Sequence, residues 1–227
     1  MALLETYEDF LNRVDELGFM AFSNFLPGFP TLSEETLESN WHTGIEETDP
    51  WRWKNRAAAE KRLAFGCILG GHKGFVAPRM YSLFYAAFHP GEPMEERRES
   101  GQISETAWRL WQLFQGRSLL NTSDIRQELG VTVKKGGSKV DRAITELQQY
   151  YYITVAGSGR KTDKHGQLYG WAVNVYDLVE NWAPGEWMDD VQSLSPVDAR
   201  EQILDNGVAI GKNIKPSQLA KVLGINM

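Results

Sequence analysis

The chain has 227 residues, with 24 Lys and Arg against 30 Asp and Glu, for a net charge of −6. At 42% hydrophobic and 11% aromatic, it is composed like a folded protein with a sizeable core, which excludes a disordered polyelectrolyte. Its single cysteine, Cys67, excludes an intrachain disulfide and a multi-thiolate zinc site, and an acidic balance argues against nucleic acid wrapped over the whole surface.

No apolar run reaches the length of a membrane span. The amphipathic, acidic start Met1–Phe10 does not read as a secretory signal. The expectation is a cytoplasmic protein with no membrane contact, no metal and no cofactor. Residues 4–19 predict a helix: Leu4, Tyr7, Phe10, Leu11, Val14 and Leu17 recur at helical spacing and Gly18 closes it. A Phe/Pro/Gly loop follows to Pro30, and Leu32 to Trp41 reads as a second helix opened by Thr31 or Ser33.

Residues 40–56 hold the densest chemistry. Trp41, Trp51 and Trp53 stand with His42, Glu46, Glu47, Asp49 and several basic residues. Asp49 is placed to cap a helix with Pro50 at its first position, running through Ala59 and Leu63. Trp51 and Trp53 are two apart and so face differently, one toward a core and one toward a cleft. Asp49, Glu47 and His42 are candidate catalytic groups, and the three tryptophans are candidate platforms for stacking a base; the plainer alternative is a helix cap, a polar residue and packing.

Residues 63–77 predict a strand, a Gly-rich turn and a further short element. Gly70-Gly71-His72-Lys73-Gly74 lacks the spacing and the Lys-Ser/Thr ending of a phosphate loop, so it reads as a hairpin turn with a surface lysine. Cys67, between Gly66 and Ile68, reads as a buried small hydrophobe. Residues 80–89 predict an aromatic helix, and 90–101 a charged linker at a domain boundary.

Residues 104–182 carry the clearest pattern. Ser104 caps a helix whose stripe is Ala107, Trp108, Leu110, Trp111 and Phe114. A short second helix follows, capped at Asn121, Thr122 or Ser123, with Ile125 and Leu129 inward and Gly130 at its end. A third helix, 138–149, buries Val140, Ala143, Ile144 and Leu147 and turns Lys139, Arg142 and Glu146 outward. Tyr151–Ala156 and Tyr169–Tyr176 alternate as strands around a basic loop. Three helices and a basic-tipped hairpin make a winged helix, whose third helix enters a major groove in DNA-binding members.

Residues 134–165 hold Lys134, Lys135, Lys139, Arg142, Arg160, Lys161 and Lys164 against Asp141, Glu146 and Asp163. That is +4, leaving −10 on the rest of the chain. These seven cations are the candidate DNA-binding residues, with double-stranded DNA as partner. A protein partner is the alternative, because winged helices also serve protein–protein contact. Beyond Trp187 two further helices, from Pro196 and from Ile214 to Gly224, look like part of another helix-turn-helix.

The expected class is thus α+β, mostly helical. Residues 1–100 form an aromatic-rich α+β domain, 101–182 the winged helix, and 183–227 a helical segment. The segments Asp49–Arg56, Gly101–Trp111, 121–149, Gly170–Val179, Trp182-Ala-Pro and Ala199–Leu204 resemble the AlkZ-related winged-helix proteins. More distantly they are similar to the AlkZ/YcaQ alkylpurine DNA glycosylases, which are built from tandem winged helices. The resemblance implies DNA binding linked to repair. Those enzymes carry a Gln-x-Gln or Gln-x-Asp pair; here Gln148, Gln167 and Gln202 are followed two residues on by Tyr150, Tyr169 and Leu204. The catalytic pair is not carried over. The reading is a winged-helix DNA-binding protein without that pair, the alternatives being a glycosylase that uses another carboxylate and a protein-interaction module.

Overall fold

The computed structural model describes residues 3–132, 136–162 and 168–226. The chain is α+β, with two three-stranded antiparallel sheets among the described residues. Helix α1 (Tyr7–Leu17) begins with a capping box in which Thr6 and Asp9 satisfy each other's backbone N–H. Its stripe of Tyr7, Phe10, Leu11, Val14 and Leu17 is buried. Leu4 stays outside the helix and bridges to Thr36.

After β1 (Phe19–Ala21) the helix expected over 32–41 does not form; only Glu38–Asn40 makes a 3₁₀ turn. The backbone there is committed elsewhere. Leu32 N–H donates to Ala21 O at 2.9 Å, and Leu4 N–H to Glu35 O at 2.8 Å. Buried Glu35 receives Arg13 at 2.9 Å. Tertiary hydrogen bonds thus outweigh a modest local helix preference.

Helix α2 (Pro50–Ala59) starts as expected at Asp49 but stops short of Leu63. Strands β2 (Ala64–Leu69) and β3 (His72–Val76) form a hairpin, and β3 lies between β1 and β2. Its turn residues Gly70 and Gly71 both have positive φ, as a two-residue hairpin turn requires. A Cβ on Gly70 would sit 2.6 Å from the backbone of Leu223.

Helix α3 (Pro78–Phe88) is followed by α4 (Met94–Glu99), in the stretch expected to be a linker. Arg97 of α4 is buried, donates to Tyr152 Oη and Gln102 O at 3.2 Å each, and lies 4.3 Å from the Tyr150 ring centroid. Next come α5 (Glu105–Leu113), β4 (Leu120–Asn121), α6 (Thr122–Glu128), α7 (Gly137–Gln149), β5 (Ile153–Thr162) and β6 (Leu168–Leu178). The second sheet has the order β4-β6-β5, and α5 and α6 pack on α7. Ser104 and Asn121 cap α5 and α6. Val140, Ala143, Ile144 and Leu147 form the buried stripe of α7.

The chain closes with α8 (Val179–Trp182), α9 (Pro196–Ile210) and α10 (Pro216–Leu223). Helix α9 lies along α3, and Asn206 donates to Leu17 O at 2.8 Å.

Contacts cross from one sheet to the other. A bulge in β2 between Gly66 and Leu69 breaks its register with β3. The freed Cys67 N–H donates instead to Gln148 Oε1 of α7 at 3.1 Å, and Gln148 Nε2 donates to Ile144 O. Tyr151 Oη donates to Ile68 O at 3.3 Å. Gln148→Leu keeps the volume but removes the acceptor of a part-buried N–H. It is expected to destabilise the chain by about 1–3 kcal/mol, read as a lower urea midpoint; an unchanged midpoint would show that the bridge contributes nothing.

Candidate nucleic-acid interface

The chemistry read between Trp41 and Arg56 divides into a cap, a core and a cleft wall. Asp49 is buried, and its carboxylate accepts three backbone N–H groups: Trp51 at 2.9 Å, His42 at 3.0 Å and Gly44 at 2.8 Å. One pair satisfies the first turn of α2 and the others pin the preceding loop, which places His42 at a φ of 63°. Glu46 and Glu47 are exposed and paired with Arg52 at 3.0 Å and Arg56 at 3.3 Å. Each carboxylate of this segment therefore has a structural partner.

Trp53 is 0% exposed, stacks on Phe10 at 5.6 Å and donates its indole N–H to Glu47 O at 3.0 Å. With no free ring face it cannot stack a base. Trp51 is 42% exposed and has the exposed His42 ring 4.9 Å away. Trp41 is half-buried, packed edge-on to Phe22 at 5.5 Å with its N–H on Thr36 Oγ1. Core and cleft are thus divided between Trp53 and Trp51 as the two-residue offset requires.

Trp51 stands at the junction of two cavities between α2 and β6. The larger, about 400 Å³, includes His42, Asp49, Arg52, Asn55 and Arg160 in its wall. The other, about 210 Å³, is lined by Phe65, Lys54, Lys73, Asn174 and Tyr176 among others. Trp51 and Ala172 line both. A third cavity of about 250 Å³ continues past Phe65 and Lys73 to Cys67, Asp141 and Gln148. Partly buried Cys67 accepts the Thr145 hydroxyl at 3.9 Å, and burial raises its thiol pKa, which disfavours the reactive thiolate.

Lys54 is the functional-type residue not singled out from the sequence. It is 5% exposed, with no carboxylate partner among the described residues. Its Nζ lies 4.3 Å from the Trp51 ring centroid and 5.6 Å from that of Phe65. Burial, and secondarily the charge of Lys73, pull its pKa down to about 8. The signal was available: Pro50, Trp53, Lys54, Ala57 and Ala58 are the buried face of α2, and Lys54 is the charge on that stripe.

Of the basic set, Lys139, Arg142 and Arg160 are exposed. Asp141 is held by Arg126 at 2.7 Å, and Glu146 accepts from Ser104 N and Oγ at 2.9 and 2.6 Å. Both acids of α7 are thereby tied to neighbouring elements, whereas among the described residues Arg142 donates only within its own helix, to Ser138 O at 3.3 Å. Lys134, Lys135 and Lys164 lie outside the described residues, and Lys161 is described only as a β5 position. Among the described residues no group of three or more His, Cys, Asp and Glu could hold a metal ion, and no helix is long and apolar enough to cross a membrane.

A buried ammonium destabilises the fold while it is charged. With a folded pKa of about 8 against an ordinary 10.5, the cost is full below pH 8 and disappears as pH rises through 10.5, where both states are neutral. The Trp51 ring offsets part of it. Lys54→Met is therefore expected to stabilise the chain by about 1–2 kcal/mol at pH 7, with the gain fading between pH 8 and 10.5. Thermal melts across that range check it; a variant destabilised at pH 7 would contradict it.

The family model described as AlkZ related matches residues 4–224, nearly the whole chain. No curated protein and no solved structure matches it. The chain belongs to the AlkZ-related family.

Proposed function

We propose that the protein is a repair-associated DNA-binding protein whose residues 104–182 act as a winged helix, with α7 and the β5–β6 hairpin meeting a duplex. The order helix, strand, helix, helix, strand, strand and the sheet order β4-β6-β5 support the winged-helix reading. The observation that carries the DNA reading is the set of exposed cations Lys139, Arg142 and Arg160, which have no carboxylate partner among the described residues. By contrast Arg13, Arg52, Arg56, Arg62, Arg98, Arg117 and Arg126 are all paired, while other exposed cations without a carboxylate partner among the described residues, such as Lys61, Arg109, Lys212 and Lys221, lie outside α7 and the hairpin. Unpaired cations are the ones able to take up phosphates and release counterions. Family membership adds the repair association.

The glycosylase alternative needs a carboxylate free to hold water beside the sugar. Asp49, accepting three backbone donors, and Glu47, paired with Arg56, give it little support. The protein-interaction alternative is decided by the same experiment as the DNA reading.

Fluorescence anisotropy of a labelled duplex, intact or with an abasic site, at several salt concentrations is expected to show affinity falling as salt rises. The double variant Lys139→Ala/Arg142→Ala is expected to weaken binding at least about tenfold and to reduce the slope of log affinity against log salt by about 2. Affinity and slope unchanged in the variant would remove α7 from the interface, and no binding at low salt would transfer the case to a protein partner.

A further inference from the structure

We propose that Lys54 is an amine nucleophile that captures a phosphate-bearing sugar aldehyde, such as the ring-opened deoxyribose of an abasic site, as an imine. The substrate assignment rests on the DNA-binding reading; the amine site rests on its own geometry.

That geometry combines burial, an open cavity and, among the described residues, no counter-charge. Lys54 is nine-tenths buried, yet its side chain lines a cavity rather than ending in packed core. No carboxylate is among that cavity's lining residues. A structural buried lysine is ordinarily held by an acid; this one is held against the Trp51 and Phe65 rings, which leave its donors and, when neutral, its lone pair unspent. Exposed Lys73 faces the same space and supplies a second positive charge suited to a phosphate. At about 210 Å³ the space falls below the roughly 300–1,000 Å³ of sites for whole drug-sized ligands, and so suits a sugar phosphate. Asn174 and the Thr122 side of the cavity supply polar groups for sugar hydroxyls.

The step balances without a redox partner. The neutral Nζ lone pair attacks the aldehyde carbon and forms an N–C bond. The carbonyl oxygen becomes the hydroxyl of a carbinolamine, taking up the proton that nitrogen sheds. Loss of that hydroxyl with a second nitrogen proton releases water and leaves the imine. A lowered pKa puts more of Lys54 in the neutral form near pH 7 than an ordinary surface lysine.

The test uses the full chain with two probes, an abasic-site duplex and free 2-deoxyribose 5-phosphate, each with sodium cyanoborohydride to reduce the imine, followed by peptide mass mapping. Lys54 is expected to carry the reduced adduct from both probes, and Lys54→Met to lower total trapping at least about tenfold, while Lys221→Ala leaves it unchanged. Adducts spread over exposed lysines such as Lys212 and Lys221 with Lys54 unmodified, or undiminished trapping in Lys54→Met, would overturn the proposal. Adduct at Lys54 from the free sugar phosphate with no duplex binding would keep the amine site and remove its DNA substrate. Duplex binding by anisotropy with no Lys54 adduct from either probe would remove the amine site and keep DNA binding.

Discussion

The close seat of α2 on β5 and β2 sets the position of Trp51 and Lys54 in the cleft. The Trp182 indole donates to Ala58 O at 3.1 Å, a last-turn carbonyl that also accepts Lys61 N–H at 3.2 Å, and so ties the end of α2 to α8. Gly157, at a φ of 145°, lets β5 approach α2: a Cβ there would come within 3.2 Å of the Ala59 Cβ. The other end of α2 is anchored by Asp49, which ties the His42–Gly44 loop to the first turn. With both ends held, Trp51 and Lys54 occupy defined places opposite β6, and three adjoining cavities follow the seam.

The bulge-and-glutamine bridge between β2 and α7 acts on the same seam from the other side. It joins the helix bearing Lys139 and Arg142 to the hairpin bearing Lys73. Exposed cations on α7 and β5 and the cleft beside α2 thus belong to one connected framework. Within it Lys54 opposes stability: a buried ammonium without an acid costs free energy that an apolar side chain would not. Such local conflicts between stability and chemistry are characteristic of functional sites.

Much of this was legible from the residues, for stated reasons. The stripes of α1, α5 and α7 have clean helical periods, and the Asp49-Pro50 cap and the Gly70-Gly71 turn are short-range signals that need no tertiary context. The expected helix over 32–41 failed because its backbone bonds to Ala21 and Leu4, partners that local sequence does not reveal. The charged stretch 90–101 looked like a linker because the burial of Arg97 depends on Tyr150 and Tyr152, more than fifty residues away. At the candidate site the residue types were visible but their roles were not. Whether Asp49 caps or catalyses depends on which N–H groups surround it. Lys54 sits beside the conspicuous Trp51 and Trp53, and its place on the buried stripe of α2 is its one sequence signal.

The most direct test of the proposed duplex contact is hydrogen–deuterium exchange by mass spectrometry on the full chain with and without a saturating abasic-site duplex. Contact along α7, the β5–β6 hairpin and the cleft predicts slower exchange in peptides covering 137–145, 153–160 and the start of α2, with α9 and α10 unchanged. Protection confined to α9 and α10, or none in α7 and β5 under conditions where binding is saturated, would contradict the account.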